Sequence, residues 1–299
     1  MNYLQIESFL KTIELGSMTK ASNALFISQS TLSDRITKLE DELGFNLFTR
    51  GHGSRGVSLT ERGISFVGFA KKYLSLMDDI EDWKIDDSER VELRIGGPHS
   101  LNSFLLNSFY RNFTDSNKVK LYISSHWNYS IYTLINTYEL DLGLVSRPFG
   151  YRHLKTKELF KEELYIVYNN NYSDYSSIKN ELDLKKEDEI HLDWGPDYEI
   201  WNQNFWSETS KPKISVDSAE LVYEFLKSKN AWAVMPVCVY NYLNKYNNNL
   251  SKINGLNSIY RTIYLVTQRE PKDIVSNLTK KLESYILELE KNGLCQNLL

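Results

Sequence analysis

The apolar positions near the start of the chain recur every three or four residues in three short segments. In residues 3–14 and 18–25 this spacing predicts two helices, the second of them capped by Ser17. A third helix is predicted to begin after Ser28, whose hydroxyl can accept from a free backbone N–H of the first turn, and to end at Gly44. Its apolar residues fall on one narrow face: Leu32, Ile36, Leu39 and Leu43.

The opposite face of this third helix carries only short hydrogen-bonding side chains. A helix that is merely solvated usually shows Lys and Glu, whereas a helix that enters a DNA major groove needs small donors and acceptors. We therefore interpret the segment as a DNA-recognition helix. The polar face consists of Ser30, Ser33, Asp34 and Thr37, with Gln29 and Thr31 at its N-terminal end.

Residues 60–83 read as one long helix with a continuous apolar stripe. Val67, Ala70, Leu74 and Met77 recur at alternating spacings of three and four, with Ile64 and Ile80 nearby. Such a stripe suits a partner helix, and packing against the chain's own body is the alternative.

Beyond residue 90 the pattern changes to short apolar strands that alternate with helices, which favours parallel sheets with right-handed crossovers. The first set ends in a predicted strand at 142–146, and a second set begins at 163. A later strand returns to the first set, and a helix closes the chain. The predicted strands are 91–97, 119–124, 142–146, 163–168, 189–192, 214–217, 231–235 and 261–267, and the helices include 103–113, 130–138 and 274–289.

Length and cysteine usage fit a cytoplasmic protein of about two domains. The chain has 299 residues and two cysteines, Cys238 and Cys295, whose separation fits no metal-ligand or redox motif. We expect both thiols to be reduced. The first residues lack a basic region followed by a long apolar run, and no apolar stretch is long enough to span a membrane.

The net charge of −4 is unevenly distributed. Residues 43–77 contain five basic side chains and one acidic one, whereas residues 78–89 contain seven acidic side chains and one basic one. A local positive field of this kind is sufficient for phosphate contacts. Arg50 and Arg55, which flank G-H-G-S, are the candidates for phosphate or minor-groove contact, although each is equally compatible with a solvated surface charge.

Two long motifs resemble the N-terminal signature of LysR-type transcriptional regulators. They are A-S-N-A-L-F-I-S-Q-S-T-L-S-D-R-I-T-K-L-E-D-E-L-G-F-N-L-F-T-R at 21–50 and V-S-L-T-E-R-G at 57–63. One departure is Asp34, where such proteins often carry a basic residue. Its carboxylate can accept from a cytosine amino group or pair with Arg35 or Lys38. The resemblance implies DNA contacts by a winged helix-turn-helix domain, with candidate residues Gln29, Ser30, Thr31, Ser33, Asp34, Arg35, Lys38, Arg50 and Arg55.

The resemblance also implies an architecture: an N-terminal all-α winged helix-turn-helix domain and a two-lobed, periplasmic-binding-protein-like α/β effector domain. We place the domains at 1–59, 60–90 (linker helix and acidic linker) and 91–299. Lobe I would comprise about 91–162 and 266–299, and lobe II about 163–265. The implied partners are double-stranded DNA, RNA polymerase, a small-molecule effector, and a second copy bound through residues 60–83, with such dimers pairing into a tetramer. E-L-D-L-G-L-V at 139–145 matches best, whereas Tyr138, Asn230 and Ala231 replace expected glycines.

Effectors in such folds bind where strands end and helix N-termini offer free N–H groups. Ser100 stands at the family's usual Ser/Thr ligand position, and Arg147 can pair with a carboxylate. Ser100, Asn128 and Ser218 are also compatible with ordinary helix caps, Trp194 with a core residue, and Arg147 with a pair to Asp193 across the lobes. The candidate residues are His99, Ser100, Asn102, Trp127, Asn128, Arg147, Asp193, Trp194 and Ser218.

Two other functional classes are less compatible with the chain. An enzyme is disfavoured because the five histidines show no metal-ligand spacing and no nucleotide-binding or nucleophile motif is present, so we expect neither catalysis nor a cofactor or metal. A ligand-blind architectural DNA binder would leave the α/β region after the linker without a purpose.

Overall fold

The structure is a computed structural model that describes residues 1–49, 57–85, 91–116 and 119–298. The chain divides into two compact units. One comprises residues 1–89 together with 136–139, and the other comprises residues 90–135 together with 140–299. Each unit has its own buried core.

The N-terminal unit opens with three helices whose ends are set by local side chains. They are α1 (Tyr3–Leu15), α2 (Met18–Ala24) and α3 (Gln29–Leu43). Ser17 caps α2 by accepting from the Lys20 N–H, and Ser28 caps α3 by accepting from the Thr31 N–H. Gly44 ends α3 in the left-handed region at φ 75°, a conformation that glycine adopts without steric cost. The predicted bounds of these helices are confirmed within one residue at most ends.

A short hairpin follows α3 and leads into the next helix. Its stem is formed by an antiparallel bridge between Phe48 and Leu59 and by a 2.8 Å hydrogen bond from the Thr49 N–H to the Ser58 carbonyl. Glu40 on α3 anchors the stem, because its Oε1 accepts from the backbone N–H groups of Leu47 and Phe48. The tip of the predicted wing, with Arg50 and Arg55, lies outside the described residues.

The long helix α4 (Glu61–Ile85) packs one side against the N-terminal core. Gly63 is required at its start, since a Cβ there would lie 2.1 Å from the Leu47 carbonyl oxygen. Phe66 and Ala70 are buried, and Val67 and Leu74 pack beside them. For this part of the stripe that we predicted as a seam for a partner helix, the structure therefore shows the alternative, packing against the chain's own body.

The described residues of the C-terminal unit form a ten-stranded sheet in the order β2-β1-β3-β9-β4-β7-β5-β6, with β8 and β10 also paired to β4. The three strands at each end run parallel to one another, whereas the central β9–β4 pair is antiparallel and joins the two lobes. The strands are β1 (Val91–Gly97), β2 (Val119–Ser125), β3 (Leu142–Val145), β4 (Leu154–Asn169), β5 (Glu189–His191), β6 (Ile214–Ser215), β7 (Trp232–Pro236), β8 (Leu250–Lys252), β9 (Ile259–Gln268) and β10 (Gln296–Asn297).

Helices separate the strands and cover the sheet. They are α5 (Asn107–Ser116), α6 (Asn128–Asn136), α7 (Pro196–Phe205), α8 (Ala219–Phe225), α9 (Val237–Asn247) and α10 (Asp273–Lys291). A π-helical turn, Leu101–Leu105, precedes α5, so the helix predicted at 103–113 is in fact two pieces. Within the described residues, none of the helices has both the length and the apolar character that a membrane span requires.

The predicted fold class is confirmed: a helical winged domain is followed by a two-lobed α/β domain. The main difference concerns β4, which extends from Leu154 whereas we predicted a strand only from residue 163. The first half of β4 is rich in charged residues, because this part of the strand crosses between the lobes and is not buried on both faces.

Candidate functional site

The polar face of α3 is open to solvent. Ser30, Ser33, Asp34 and Thr37 are all exposed, whereas Leu32, Ile36 and Leu39 on the other face are buried. At the N-terminal end the Ser28 hydroxyl lies 2.8 Å from the hydroxyls of both Ser30 and Thr31. The side of the helix that we interpreted as base-reading is therefore available to a partner.

The basic residues of α3 differ in their surroundings. Arg35 is half-buried, and its Nη1 lies 3.5 Å from the Ser8 Oγ of α1, at the limit of a hydrogen bond. Lys38 is exposed, as is Gln29, whose Oε1 lies 3.5 Å from the Thr19 hydroxyl. Of the two cations, Lys38 is the one more free to reach a phosphate.

Phe26, in the turn between α2 and α3, was missed by the sequence analysis. Its ring is 96% exposed and its φ is 55°, a left-handed conformation that is uncommon for a bulky residue. It stands immediately before the N terminus of the helix with the exposed polar face. An exposed aromatic ring in a turn has no sequence signal that separates it from a buried one.

The C-terminal unit contains a cavity of about 860 Å³, its open mouth included, at the carboxyl ends of the strands. Segments that follow β1, β2 and β3 form one wall, and segments that follow β5 and β6 form the other. This is the position expected for a ligand in an open α/β sheet. Seven of the nine predicted effector residues line it: His99, Ser100, Trp127, Asn128, Asp193, Trp194 and Ser218.

The other two predicted residues, Asn102 and Arg147, are not among the residues lining the cavity. Asn102 is buried, where its Nδ2 donates to the Ser124 carbonyl and its Oδ1 accepts from the Tyr110 hydroxyl at 2.9 Å. Arg147 pairs through Nη2 with Glu199 Oε2 at 2.7 Å, not with Asp193. The structure thus gives Asn102 a supporting position and gives the Arg147 guanidinium a carboxylate partner of its own.

The floor of the cavity is Arg261, on β9, which the sequence analysis did not select. Its guanidinium is 2% exposed and donates from Nε and Nη2 to Glu162 Oε2 at 3.0 and 2.7 Å. Nη1 donates to Ser100 Oγ at 3.1 Å, and Glu162 Oε1 accepts from the Cys238 N–H. The sequence did contain a signal for this pair. Arg261 lies inside a predicted strand, where a buried arginine is rarely tolerated without a partner, so its position indicated a buried acidic residue nearby.

Trp194 stands beside this arginine and is held on both sides. Its Nε1 donates to the Val234 carbonyl at 2.6 Å, and the Arg261 guanidinium lies 5.6 Å from a ring centroid. Gly195 follows with φ 110°, and a Cβ there would approach the Ser146 Oγ to 2.7 Å. Trp194 is therefore both a core residue, at 5% exposure, and part of the cavity wall.

The structure shows which of the remaining polar residues cap a helix and which bind elsewhere. Ser218 caps α8 by accepting from the Leu221 N–H at 3.4 Å. Asn128 instead binds the neighbouring wall segment, since its Oδ1 accepts from the Ser146 N–H at 2.7 Å. Ser100 makes no side-chain cap hydrogen bond, and its hydroxyl faces Arg261.

Comparison with known families accounts for most of the chain. The family model "Bacterial regulatory helix-turn-helix protein, lysR family" matches residues 4–64, and "LysR substrate binding domain" matches residues 86–274. The chain belongs to the LysR family. It is a LysR-type transcriptional regulator with a helix-turn-helix domain and an effector-binding substrate domain. Members of the LysR family are transcriptional regulators, which are not typically enzymes.

Curated relatives in this family are distant. The chain is similar to the HTH-type transcriptional regulator SoxR of Arthrobacter sp. (strain TE1826), at 27% identity over 60% of the chain and 62% of SoxR. The chain thus spans less than two thirds of that relative's length. It is also similar to the HTH-type transcriptional regulator HdfR of Yersinia pestis, at 25% identity over 77% of the chain and 80% of HdfR.

Solved LysR-family structures share the fold over almost the full length. Full-length LysG from Corynebacterium glutamicum, solved with bound effector Arg, aligns with a TM-score of 0.68 at 18% identity, covering 96% of this chain and 99% of LysG. A full-length OxyR variant from Pseudomonas aeruginosa gives 0.65 at 20% identity, covering 96% and 94%. CbnR complexed with its target DNA gives 0.64 at 17% identity, covering 95% and 100%.

Proposed function

We propose that α3 reads operator DNA and that the exposed polar face of α3 is the surface that does so. The exposure of Ser30, Ser33, Asp34 and Thr37 carries this proposal, because short donors and acceptors on an open helix face can reach base edges in a major groove. Gln29 and Thr31 extend the face, and Lys38 supplies phosphate contact. Arg35, Arg50 and Arg55 remain predicted DNA contacts.

We propose that the cavity between the lobes binds the effector. Ser100, His99, Trp127, Asn128, Asp193, Trp194 and Ser218 are its candidate contacts, and Arg261 joins them. Asn102 acts as a support, and Arg147 contributes only in a state in which its pair with Glu199 is open. Unequal affinity of the effector for two arrangements of the lobes would shift their populations and thereby alter DNA binding.

We place the functional domains at 1–59, 60–90 and 91–299, with the lobes as predicted from the sequence. The protein acts as a homodimer through α4, whose exposed face carries Phe69, Leu76 and Ile80, and as a tetramer made of two such dimers. It contacts RNA polymerase at the promoter, works in the cytoplasm where the DNA lies, and catalyses no reaction.

The test of this function uses a DNA site selected from a random-sequence pool by the wild-type protein. Affinity for the selected site and for random DNA is measured for the Ser30→Ala, Thr31→Ala double variant. Each lost base contact removes about 1–3 kcal/mol of discrimination, so the preference for the selected site falls at least about tenfold while random binding stays the same. Circular dichroism verifies that the helices are intact.

The matched control replaces two hydroxyls on α10, Ser276→Ala and Ser284→Ala, and leaves the preference unchanged. Lys38→Ala weakens selected and random binding alike and reduces the salt slope by about one. Should the double variant on α3 lose both kinds of binding equally, the base-reading assignment is refuted. Failure of the wild-type protein to enrich any site would refute the function itself.

A further inference from the structure

The wall of the cavity contributed by lobe II is acidic. Asp193 follows β5 and Asp217 follows β6, and both side chains are exposed to the cavity space. Asp193 Oδ1 accepts from the Gly195 N–H at 2.8 Å, which leaves its other oxygen available. Neither carboxylate forms an ion pair with a lysine or arginine of the described ranges. Within that part of the chain, this wall therefore presents two negative charges without a cation paired to them.

The positive groups of the cavity do not offset this charge. Arg261 is neutralised by the buried Glu162 behind it, so that pair has no net charge. Arg147 pairs with Glu199 and lies outside the lining residues. His99 and His126 line the opposite wall and carry charge only when protonated, and His99 already faces Glu220 at 3.9 Å.

Donors for an anionic group nevertheless converge at the floor. The guanidinium of Arg261 has five N–H donors, of which Glu162 and Ser100 engage three. Ser100 accepts from Arg261, so its own hydroxyl proton is free to donate into the cavity. A carboxylate at this point would meet the Ser100 hydroxyl beside a guanidinium that is held in place by its pair to Glu162.

The floor and the acidic wall therefore favour groups of opposite charge on one ligand. A simple anion would satisfy Ser100 and Arg261 but would sit in the field of Asp193 and Asp217. A simple cation would satisfy the acidic wall and leave the donors of the floor facing a positive group. A molecule that carries both charges satisfies each end and has no net charge to repel.

We propose that the effector is a small zwitterion that bears a carboxylate and a primary ammonium or guanidinium group. Its carboxylate contacts Ser100 and Arg261, and its cationic group contacts Asp193 and Asp217. Trp127, 59% exposed at the cavity wall, offers an aromatic face to the same cation. This inference rests on the proposed function, because it assumes that the cavity is the effector site.

The test measures binding to the full-length protein by tryptophan fluorescence and by thermal shift. The probes are L-amino acids with uncharged side chains, L-lysine, L-arginine and ω-amino acids of graded length. Each is measured beside its methyl ester and beside a derivative acetylated at every amine, with Nα-acetylcitrulline as the cation-free counterpart of arginine. N-acetylation removes the cation and esterification removes the anion, while the carbon skeleton is kept. We expect binding only by compounds that retain both charges, with a loss of about tenfold or more for either derivative.

The best binder is then measured against Asp193→Asn and Asp217→Asn. Each variant removes one carboxylate charge without changing shape, and each is expected to weaken binding about tenfold or more. Glu208→Gln, an exposed position of the same lobe outside the cavity lining, removes the same charge and leaves binding unchanged. Circular dichroism and the melting temperature verify folding of each variant.

Three results would overturn the inference: binding of an N-acetylated derivative or a methyl ester at least as tight as that of its parent compound, undiminished binding by both aspartate variants, or no binding by any doubly charged compound. Enrichment of a DNA site by the same preparation is measured in parallel. If enrichment succeeds and the zwitterions fail, the ligand class is wrong while the regulator function stands. If enrichment fails while the zwitterions bind, the proposed function is the part refuted.

Discussion

Glu162 and Arg261 lie directly opposite each other on the antiparallel strands β4 and β9. Both side chains are buried, at 0% and 2% exposure, and two further groups attach to the pair: the Ser100 hydroxyl after β1 and the Cys238 N–H at the start of α9. The pair therefore links the two strands that cross between the lobes to a segment from each lobe, directly below the cavity.

We expect the Glu162–Arg261 pair to be costly to break on one side only. Arg261→Met leaves a buried carboxylate without a partner and should lower the free energy of unfolding by about 3–5 kcal/mol. Replacing both residues by Met removes the uncompensated charge and should recover most of that loss. Urea unfolding followed by tryptophan fluorescence reports this unit, because five of the six tryptophans lie in it, namely Trp127, Trp194, Trp201, Trp206 and Trp232. A double variant no more stable than Arg261→Met would contradict the explanation.

A second buried pair predicts acid sensitivity. Burial alone would raise the pKa of Glu189, but the neighbouring His191 ring, the charge of Lys186 and the hydrogen bond from the Tyr198 hydroxyl favour the carboxylate and outweigh it, so the pKa is lowered. A lowered pKa stabilises the fold above the unfolded-state value of about 4.3, and this contribution is lost as the pH falls through the folded-state pKa.

Glu189→Gln should therefore lower the free energy of unfolding by about 3 kcal/mol at neutral pH, since Lys186 is left buried without its carboxylate. The difference between wild type and variant should shrink below about pH 4. Urea titrations across the acid range measure both quantities. Asp183→Asn, an exposed carboxylate nearby in sequence, serves as control and should show no such convergence. A constant difference at all pH values would exclude the linkage.

Local chemistry explains why much of the fold was predictable. The caps Ser17, Ser28 and Gly44 act within one turn of the chain, so the bounds of α2 and α3 follow from the sequence. Where glycines were expected before E-L-D-L-G-L-V and A-V-M-P, Tyr138 and Asn230 still adopt φ values of 63° and 57°. The backbone conformation is kept even though the residue that favours it is absent.

Features that depend on distant partners were not predictable. The stripe at Val67, Ala70 and Leu74 faces α1. A spacing of three and four residues does not distinguish contact with a helix of the same chain from contact with a helix of a second copy. The pair of Arg147 with Glu199 was not predicted, because Glu199 lies 52 residues away in sequence. Arg261 was overlooked because its partner Glu162 lies on another strand, whose polar first half did not resemble a strand.

The two thiols are expected to be unreactive in the folded protein. Burial raises the pKa of Cys295 to about 12 and that of Cys238 well above its usual range. At pH 8 the thiolate fraction of a thiol with such a pKa is about one in ten thousand, so alkylation by iodoacetamide should be slow in native protein and fast in urea. Mass spectrometry of timed samples measures both rates. Rapid modification of either cysteine without unfolding would contradict the burial argument.

The exposed face of α4 gives a prediction about assembly. Phe69, Leu76 and Ile80 are 66%, 55% and 37% exposed, and at 100° per residue they fall on one side of the helix. Leu76→Glu should convert the dimer to monomer in analytical ultracentrifugation, because a charge at an apolar interface is desolvated without a partner. Ser75→Glu adds the same charge about a quarter turn away and should leave the dimer intact. Equal dissociation by both variants would place the interface elsewhere.

Phe26 provides a test of backbone strain beside the recognition helix. Its φ of 55° is unfavourable for a residue with a bulky side chain, and its 96% exposed ring gains almost nothing from packing. Phe26→Asn should raise the free energy of unfolding by about 0.5–1 kcal/mol relative to Phe26→Ala, because asparagine tolerates the left-handed region. Both variants lose the ring, so the comparison isolates the conformational cost. Thermal unfolding followed by circular dichroism measures the difference, and identical melting temperatures would show that the turn stores no strain. If, in addition, both variants bind the selected DNA more weakly than wild type by the same factor, the ring itself contacts DNA.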